Sequence, residues 1–221
     1  MLAMLALVVR GCVGELRIDS QTTIDNSSGG GQLTLRVTGT GLVNQVLKDG
    51  NLDPYISEDA VAEMSVQRYI ENDQAVLKIG GEFSSLDDLN ALHRQSFSSL
   101  GIVPTIARVQ RRGFLRTVTS YEILFEQPDE ASGDSVSSAS EETERMTPDV
   151  ILTYSLSVPG KVVSTNAVVR DGKVLTWTLS AGQMASNSVL SVTTQQGHPL
   201  RILGLAAIGA LAALVIRQRV S

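Results

Sequence analysis

The sequence predicts an α+β fold, in which an antiparallel, curved β-sheet with two helices packed on it is followed by one C-terminal transmembrane helix. Three observations predict this fold. Apolar and polar residues alternate in several short runs, which indicates half-buried strands. Two stretches between these runs begin with a capping serine and continue with apolar residues at helical spacing. The last observation is the run 202–216, which contains no polar residue.

The composition of the 221 residues restricts the class of protein. The mean hydropathy of +0.10 is too low for a protein that crosses a membrane many times. A net charge of −5 lacks the basic footprint that nucleic-acid binding needs. With one cysteine and two histidines, the chain cannot form a disulfide framework and is a poor candidate for a Cys/His zinc site. We therefore expect no metal, no cofactor and no nucleic-acid partner.

The chain begins with a short apolar run, 1–9, followed by Arg10, Gly11 and Cys12. This run is too short to cross a bilayer, but it fits the apolar core of a signal peptide. Gly11 before Cys12 resembles the bacterial lipobox, in which the cysteine is lipidated and becomes the N-terminus. Arg10 departs from that motif, and no basic residue precedes the run. We predict a signal-peptide and lipobox-like segment at 1–12, with lipidation at Cys12.

The C-terminal segment 198–221 predicts a membrane anchor. At about 1.5 Å per residue, the run 202–216 is roughly 22 Å long, and Leu200 with a snorkelling Arg201 brings it closer to the ~30 Å of a bilayer core. The alternative is a buried C-terminal helix of a soluble domain. That alternative is weaker, because the run is apolar on every face of a helix.

The basic residues Arg217 and Arg219 predict the orientation of this anchor. By the positive-inside rule they lie in the cytoplasm, so the main domain, 13–197, lies on the extracytoplasmic side of a bacterial cytoplasmic membrane. Small residues at helical spacing would let a helix of a membrane-protein partner approach closely. This stripe consists of Ala206, Gly209, Ala210 and Ala213.

The body of the chain is predicted to contain many strands. Asp171-Gly172 is a strong hairpin signal between two of them. The strand after it places Trp177 in the core as a packing residue, with a ligand-lining role as the alternative. The predicted strands are 16–24, 30–39, 75–79, 105–110, 114–125, 150–158, 161–169, 173–179 and 189–194.

Two helices are predicted among these strands. The first covers 57–70 and begins at Ser57, a good N-cap followed by two acids. The second begins at Ser85 and carries leucines at helical spacing. His93 lies on this second helix, where we expect it to be exposed or at the edge, because no second metal-ligand residue is spaced to meet it.

The segment 127–148 differs in composition from the rest. It contains six acids and one base among Ser, Ala and Gly, so it accounts for the whole net charge. Low hydrophobicity with high charge predicts a flexible acidic insertion. A calcium site is the alternative, although the acids lack the spacing of a calcium loop.

Several features recur in one known combination, namely Gly11-Cys12, 83–90, 158–166 with Pro159-Gly160 and Asn166, Asp171-Gly172, Thr176-Trp177 and the C-terminal apolar segment with its basic residues. Together they resemble the LppM-type bacterial envelope lipoproteins, which are related to a family of uncharacterised domains (DUF3153) found also in cyanobacteria and plastids. The resemblance implies a compact α+β domain, and the association of the mycobacterial member with envelope glycolipids implies lipid binding. It implies no catalytic residue.

Two functions follow from these features. The first is a membrane-anchored extracytoplasmic (lipo)protein that acts as a non-catalytic lipid- or glycolipid-binding envelope module. The alternative is a structural or accessory subunit of a larger membrane protein complex. An enzyme is not expected, because the sequence has no nucleophile elbow, phosphate loop or metal-ligand cluster. The expected partners are membrane lipid and a membrane protein bound through the C-terminal helix.

Overall fold

The structure, a computed structural model, shows a β-rich fold with a small helical part. Strands account for 63% of the described residues and form two sheets. The predicted single antiparallel sheet with two helices is therefore wrong. The structure describes residues 14–25, 29–49, 64–97, 102–126, 149–186 and 188–198.

No helix within these ranges is long and apolar enough to cross a membrane. The predicted anchor at 202–216 lies outside the described residues.

The larger sheet has seven strands. Their order across the sheet is β3-β4-β2-β1-β7-β10-β9. Numbered in chain order, they are β1 (Glu15–Ile24), β2 (Gly31–Gly39), β3 (Ser65–Glu71), β4 (Gln74–Phe83), β7 (Asp149–Ser157), β9 (Val169–Asp171) and β10 (Val174–Ser180).

The smaller sheet has four strands in the order β5-β6-β11-β8. They are β5 (Val103–Arg112), β6 (Arg116–Glu126), β8 (Lys161–Thr165) and β11 (Leu190–Gly197). The helices are α1 (Gly41–Lys48), α2 (Leu86–Phe97) and the short α3 (Ala181–Ala185).

One strand pair, β1 with β7, is parallel, which the prediction of an antiparallel sheet missed. Ser20 lies opposite Tyr154 in this pair, and β1 is antiparallel to β2 on its other side. Two parallel strands require a long connection between them. Here the connection from β1 to β7 contains the strands β2 to β6. Alternation along a strand shows which face is buried, but it does not identify the neighbouring strand.

The first predicted helix is wrong over 65–70, which belongs to β3, and 57–63 lies outside the described residues. Asn72 and Asp73 both have positive φ and form the tight turn from β3 to β4. Pairing with β4 over the whole of Ser65–Glu71 therefore makes this stretch a strand.

The second predicted helix is confirmed as α2. The Ser85 hydroxyl accepts a hydrogen bond from the Asp88 backbone N–H at 3.1 Å, and the Asp88 carboxylate accepts one from the Ser84 backbone N–H at 3.2 Å. This reciprocal capping begins the helix. The Asn90 side chain then bonds both the N–H and the carbonyl of Ile106 on β5, at 2.8 and 3.1 Å. Asn90 therefore covers the backbone of an edge strand.

The core lies between the two sheets and α2. Trp177 on β10 is a buried packing residue, as predicted. The largest fully buried side chains are Tyr121, Tyr154, Phe97, Leu33, Leu35, Leu89, Ile123, Leu152, Leu156, Leu175, His93 and Val76.

The chain passes from one sheet to the other around β8. Gly160 lies in the turn from β7 to β8. Its φ of 93° is a backbone conformation that residues with a side chain rarely adopt. The predicted hairpin through Asp171-Gly172 holds for β9 and β10, with Gly172 at φ of 59°. The first part of the predicted strand 161–169 is β8, which instead joins the smaller sheet beside β11.

Candidate functional site

The residues predicted to carry chemistry do not form a common site in the described structure. Cys12 and the acidic segment 127–148 lie outside the described residues. Trp177 donates its indole N–H to Asn166 Oδ1 at 2.9 Å and serves packing. His93 is fully buried, so the expectation of an exposed or edge histidine is wrong.

His93 belongs to a buried cluster with Tyr154, Thr22 and Ser20. Its ring is edge-on to Phe97 and Tyr154, with centroid distances of 5.8 and 6.2 Å. The Thr22 and Tyr154 hydroxyls form a hydrogen bond of 3.3 Å. Burial lowers the pKa of His93 to about 4, although the Pro104 backbone opposes this shift. His93 is therefore neutral at pH 7.

This cluster does not have the geometry of a nucleophile and its base. Ser20 Oγ and both ring nitrogens of His93 are buried, and none of them hydrogen-bonds another side chain among the described residues. A serine nucleophile requires a hydrogen bond to its base and access to substrate. Burial also raises the pKa of Tyr154, despite its bond to Thr22, so the phenol stays protonated. The cluster is part of the core.

A surface cleft lies where α1 meets the hairpin of β3 and β4. Its volume is about 210 Å³. Two cationic residues, Lys48 and Arg68, line it together with apolar side chains. The apolar lining residues are Leu47, Tyr69, Ile70, Ala75, Val76 and Leu77.

Asn44 fixes α1 against this hairpin. Its side chain accepts a hydrogen bond from the Ala75 N–H at 2.7 Å and donates one to the Asp73 carbonyl at 3.2 Å. Lys48 forms an ion pair with the Asp73 carboxylate at 2.8 Å and lowers the pKa of that carboxyl. Gly39, at the end of β2, lets α1 pack closely on that strand, because a Cβ there would overlap the Val43 side chain of α1.

The lining of the cleft combines apolar and cationic side chains. No group of three His, Cys, Asp or Glu side chains in the described ranges could hold a metal ion. An apolar wall next to cations instead suits a molecule with a hydrocarbon part and an anionic part. Sequence reasoning missed the cleft, because it predicted no helix at α1 and a helix where β3 lies.

The structure is similar to the NMR structure of the folded domain of LppM from Mycobacterium tuberculosis, with 15% sequence identity and a TM-score of 0.49. The match covers 88% of this chain and 97% of that one. No family model matches the chain. The search of curated proteins also gives no match.

Proposed function

We propose that this chain is a non-catalytic envelope module that binds one lipid or glycolipid with an anionic headgroup in the cleft beside α1. The observation that carries the proposal is the composition of the cleft, in which Lys48 and Arg68 stand beside six apolar residues. The signal-like run that ends at Cys12, and the resemblance described above, support a place in the envelope.

The size of the cleft restricts what it can hold. At about 210 Å³ it is smaller than the roughly 300–1,000 Å³ of pockets for drug-sized molecules, so it takes the headgroup and the first part of an acyl chain. Each buried methylene contributes about 0.8 kcal/mol, and a guanidinium recognises a phosphate by paired hydrogen bonds. We assign Arg68 to the phosphate and Ile70 to the acyl chain.

The absence of catalysis is part of the proposal. Its support is the burial of Ser20 and His93, which keeps both away from any substrate. The alternative role as an accessory subunit would be favoured by a stoichiometric protein partner that co-purifies in mild detergent without lipid.

Native mass spectrometry of the full chain tests the lipid site. Short-chain phosphatidylglycerol should bind with a stoichiometry of one, and phosphatidylcholine more weakly. Ile70→Glu should weaken binding of the anionic lipid about tenfold or more, because a carboxylate repels the phosphate and removes apolar contact. Since Ile70 is 68% exposed, this change leaves the fold intact. Arg68→Gln should reduce the preference for the anionic lipid.

Val169→Glu is the matched control. Val169 is 56% exposed and lies on β9, at the opposite edge of the same sheet. Equal losses in the Ile70 and Val169 variants, or no bound lipid in the wild-type chain, would contradict the proposal.

A further inference from the structure

The tip of the β5–β6 hairpin is strongly basic. The stretch 109–118 contains Arg111, Arg112 and Arg116 and no acid, whereas the whole chain has a net charge of −5. Within the described part of the chain, none of these three guanidinium groups forms an ion pair with a carboxylate. Arg112 and Arg116 hydrogen-bond the neutral side chains of Gln110 and Gln195, which leaves their positive charge uncompensated.

Two large apolar residues form the apex between these arginines. Phe114 is 64% exposed and Leu115 is 43% exposed. Tight turns ordinarily use Gly, Asn, Asp or Ser, because these residues adopt or stabilise the turn backbone. Phe and Leu give a turn no such advantage, and their exposure costs free energy. We name Arg111, Arg112, Phe114, Leu115 and Arg116 the hairpin tip.

Backbone hydrogen bonds hold the hairpin tip in place. Gly113 donates its N–H to the Arg116 carbonyl at 2.8 Å, and His198 donates its N–H to the Leu115 carbonyl at 2.9 Å. The Thr117 hydroxyl and His198 Nε2 are also 3.0 Å apart. The apolar apex is therefore a fixed protrusion of the smaller sheet.

The described domain ends beside the hairpin tip. Gly197, the last residue of β11, pairs with Arg116. The sequence that follows His198 soon reaches 202–216, which contains no polar residue. An apolar stretch of this length favours a lipid environment. The place where the chain leaves the described domain is thus also the place where arginines surround an exposed Phe-Leu pair.

We propose that the hairpin tip docks on the headgroup region of an anionic lipid bilayer. Phe114 and Leu115 enter the boundary between headgroups and acyl chains, while Arg111, Arg112 and Arg116 contact lipid phosphates. The bilayer is favoured over an acidic protein, because a convex apolar apex fits a deformable surface without a preformed pocket. This docking surface is separate from the proposed lipid-binding cleft, and neither proposal depends on the other.

Quenching of F114W by brominated lipid tests the docking. The full chain is reconstituted into vesicles of brominated phosphatidylcholine, alone or mixed with phosphatidylglycerol. The F114W indole should be quenched in the anionic vesicles, and high salt should reverse the effect. Replacing the three tip arginines with Gln should lower the equilibrium constant for docking roughly 100-fold, at about fivefold per charge, and so abolish the quenching.

Two controls separate docking from general membrane association. V168W places an indole at a residue that is 78% exposed beside β9, and it should not be quenched. Lys78→Gln, Arg94→Gln and Lys173→Gln together remove the same charge elsewhere and should leave the quenching of F114W unchanged. The proposal would be overturned if F114W were not quenched in anionic vesicles, or if it were quenched equally in neutral vesicles. It would also be overturned if the two sets of three Gln substitutions had equal effects on the quenching.

Discussion

Asn166 Oδ1 accepts a hydrogen bond from the Trp177 indole N–H at 2.9 Å. The same oxygen accepts the Ser191 N–H at 2.9 Å, and the Asn166 amide donates to the Val189 carbonyl at 2.8 Å. Trp177 lies in the larger sheet and Ser191 in the smaller one. One side chain therefore ties the two sheets together.

We expect Asn166→Ala to lower the free energy of unfolding by about 2 kcal/mol, because it leaves the buried indole N–H without its partner. Urea unfolding, followed by Trp177 fluorescence, measures this loss. Ser188→Ala, which removes a polar side chain next to Val189, should cost less than about 0.5 kcal/mol. Equal effects of the two substitutions would show that Asn166 does not tie the sheets.

His93 should make the fold sensitive to acid. Its pKa is about 4 in the folded chain and about 6.5 when unfolded, so the unfolded chain binds more protons between these values. The free energy of unfolding should therefore fall by up to about 3 kcal/mol as the pH drops from 6.5 to 4.

Denaturant titrations between pH 4 and 7 measure this dependence. His93→Leu should flatten the curve in that window, since carboxylates contribute equally to both proteins. A His93→Leu variant with the wild-type pH dependence would refute the assignment.

The hydrogen bond between Thr22 and Tyr154 should give a measurable coupling energy in a double-mutant cycle of these two residues. Both side chains are fully buried and their hydroxyls are 3.3 Å apart. Each of Thr22→Val and Tyr154→Phe leaves one buried hydroxyl unpaired and should cost about 1–2 kcal/mol. The double variant should cost about 1 kcal/mol less than the sum. Strict additivity in urea unfolding would mean that the bond contributes nothing.

Asn90 should protect the edge of the smaller sheet. Asn90→Ala frees the N–H and carbonyl of Ile106 on β5, so we expect a loss of about 2 kcal/mol and self-association through the exposed edge. Thermal unfolding and light scattering measure the two effects. Asn90→Asp keeps an acceptor for the Ile106 N–H and should be intermediate. A monomeric Asn90→Ala protein with wild-type stability would contradict this role.

Lipidation at Cys12 stays a prediction from the sequence, and it has a direct test. Cys12→Ser should abolish incorporation of a radiolabelled or azide-tagged fatty acid at the N-terminus, with a matching loss of mass. Unchanged mass and labelling would show that the Gly11-Cys12 pair is not a lipidation site.

Alternation predicted most strands, because burial of one face leaves a period of two in the sequence. Leu152, Tyr154 and Leu156 illustrate this on β7. The pattern fails for β3, whose residues are nearly all exposed at the edge of the sheet and therefore show no alternation. The helix signals at Ser57 were therefore wrongly extended through residues 65–70.

The sequence does not show which strands pair with each other. For this reason the cleft could not be predicted from it. The cleft requires α1 and the β3–β4 hairpin to lie side by side, which depends on contacts such as that of Asn44 with Ala75. His93 was misplaced for a similar reason. Helical spacing located the face with Leu89 and Leu92, but only the packing of Tyr154 against the ring makes His93 an interior residue.

The parallel pairing of β1 with β7 also has a consequence for the order in which the molecule can be made. Residues 15–24 leave the ribosome long before residues 149–157 exist, and β2 can satisfy only one side of β1 in the meantime. A nascent chain therefore exposes the unpaired amides of its central strand, a template for wrong partners. This side of β1 stays unpaired until residues up to Ser157 have been synthesised.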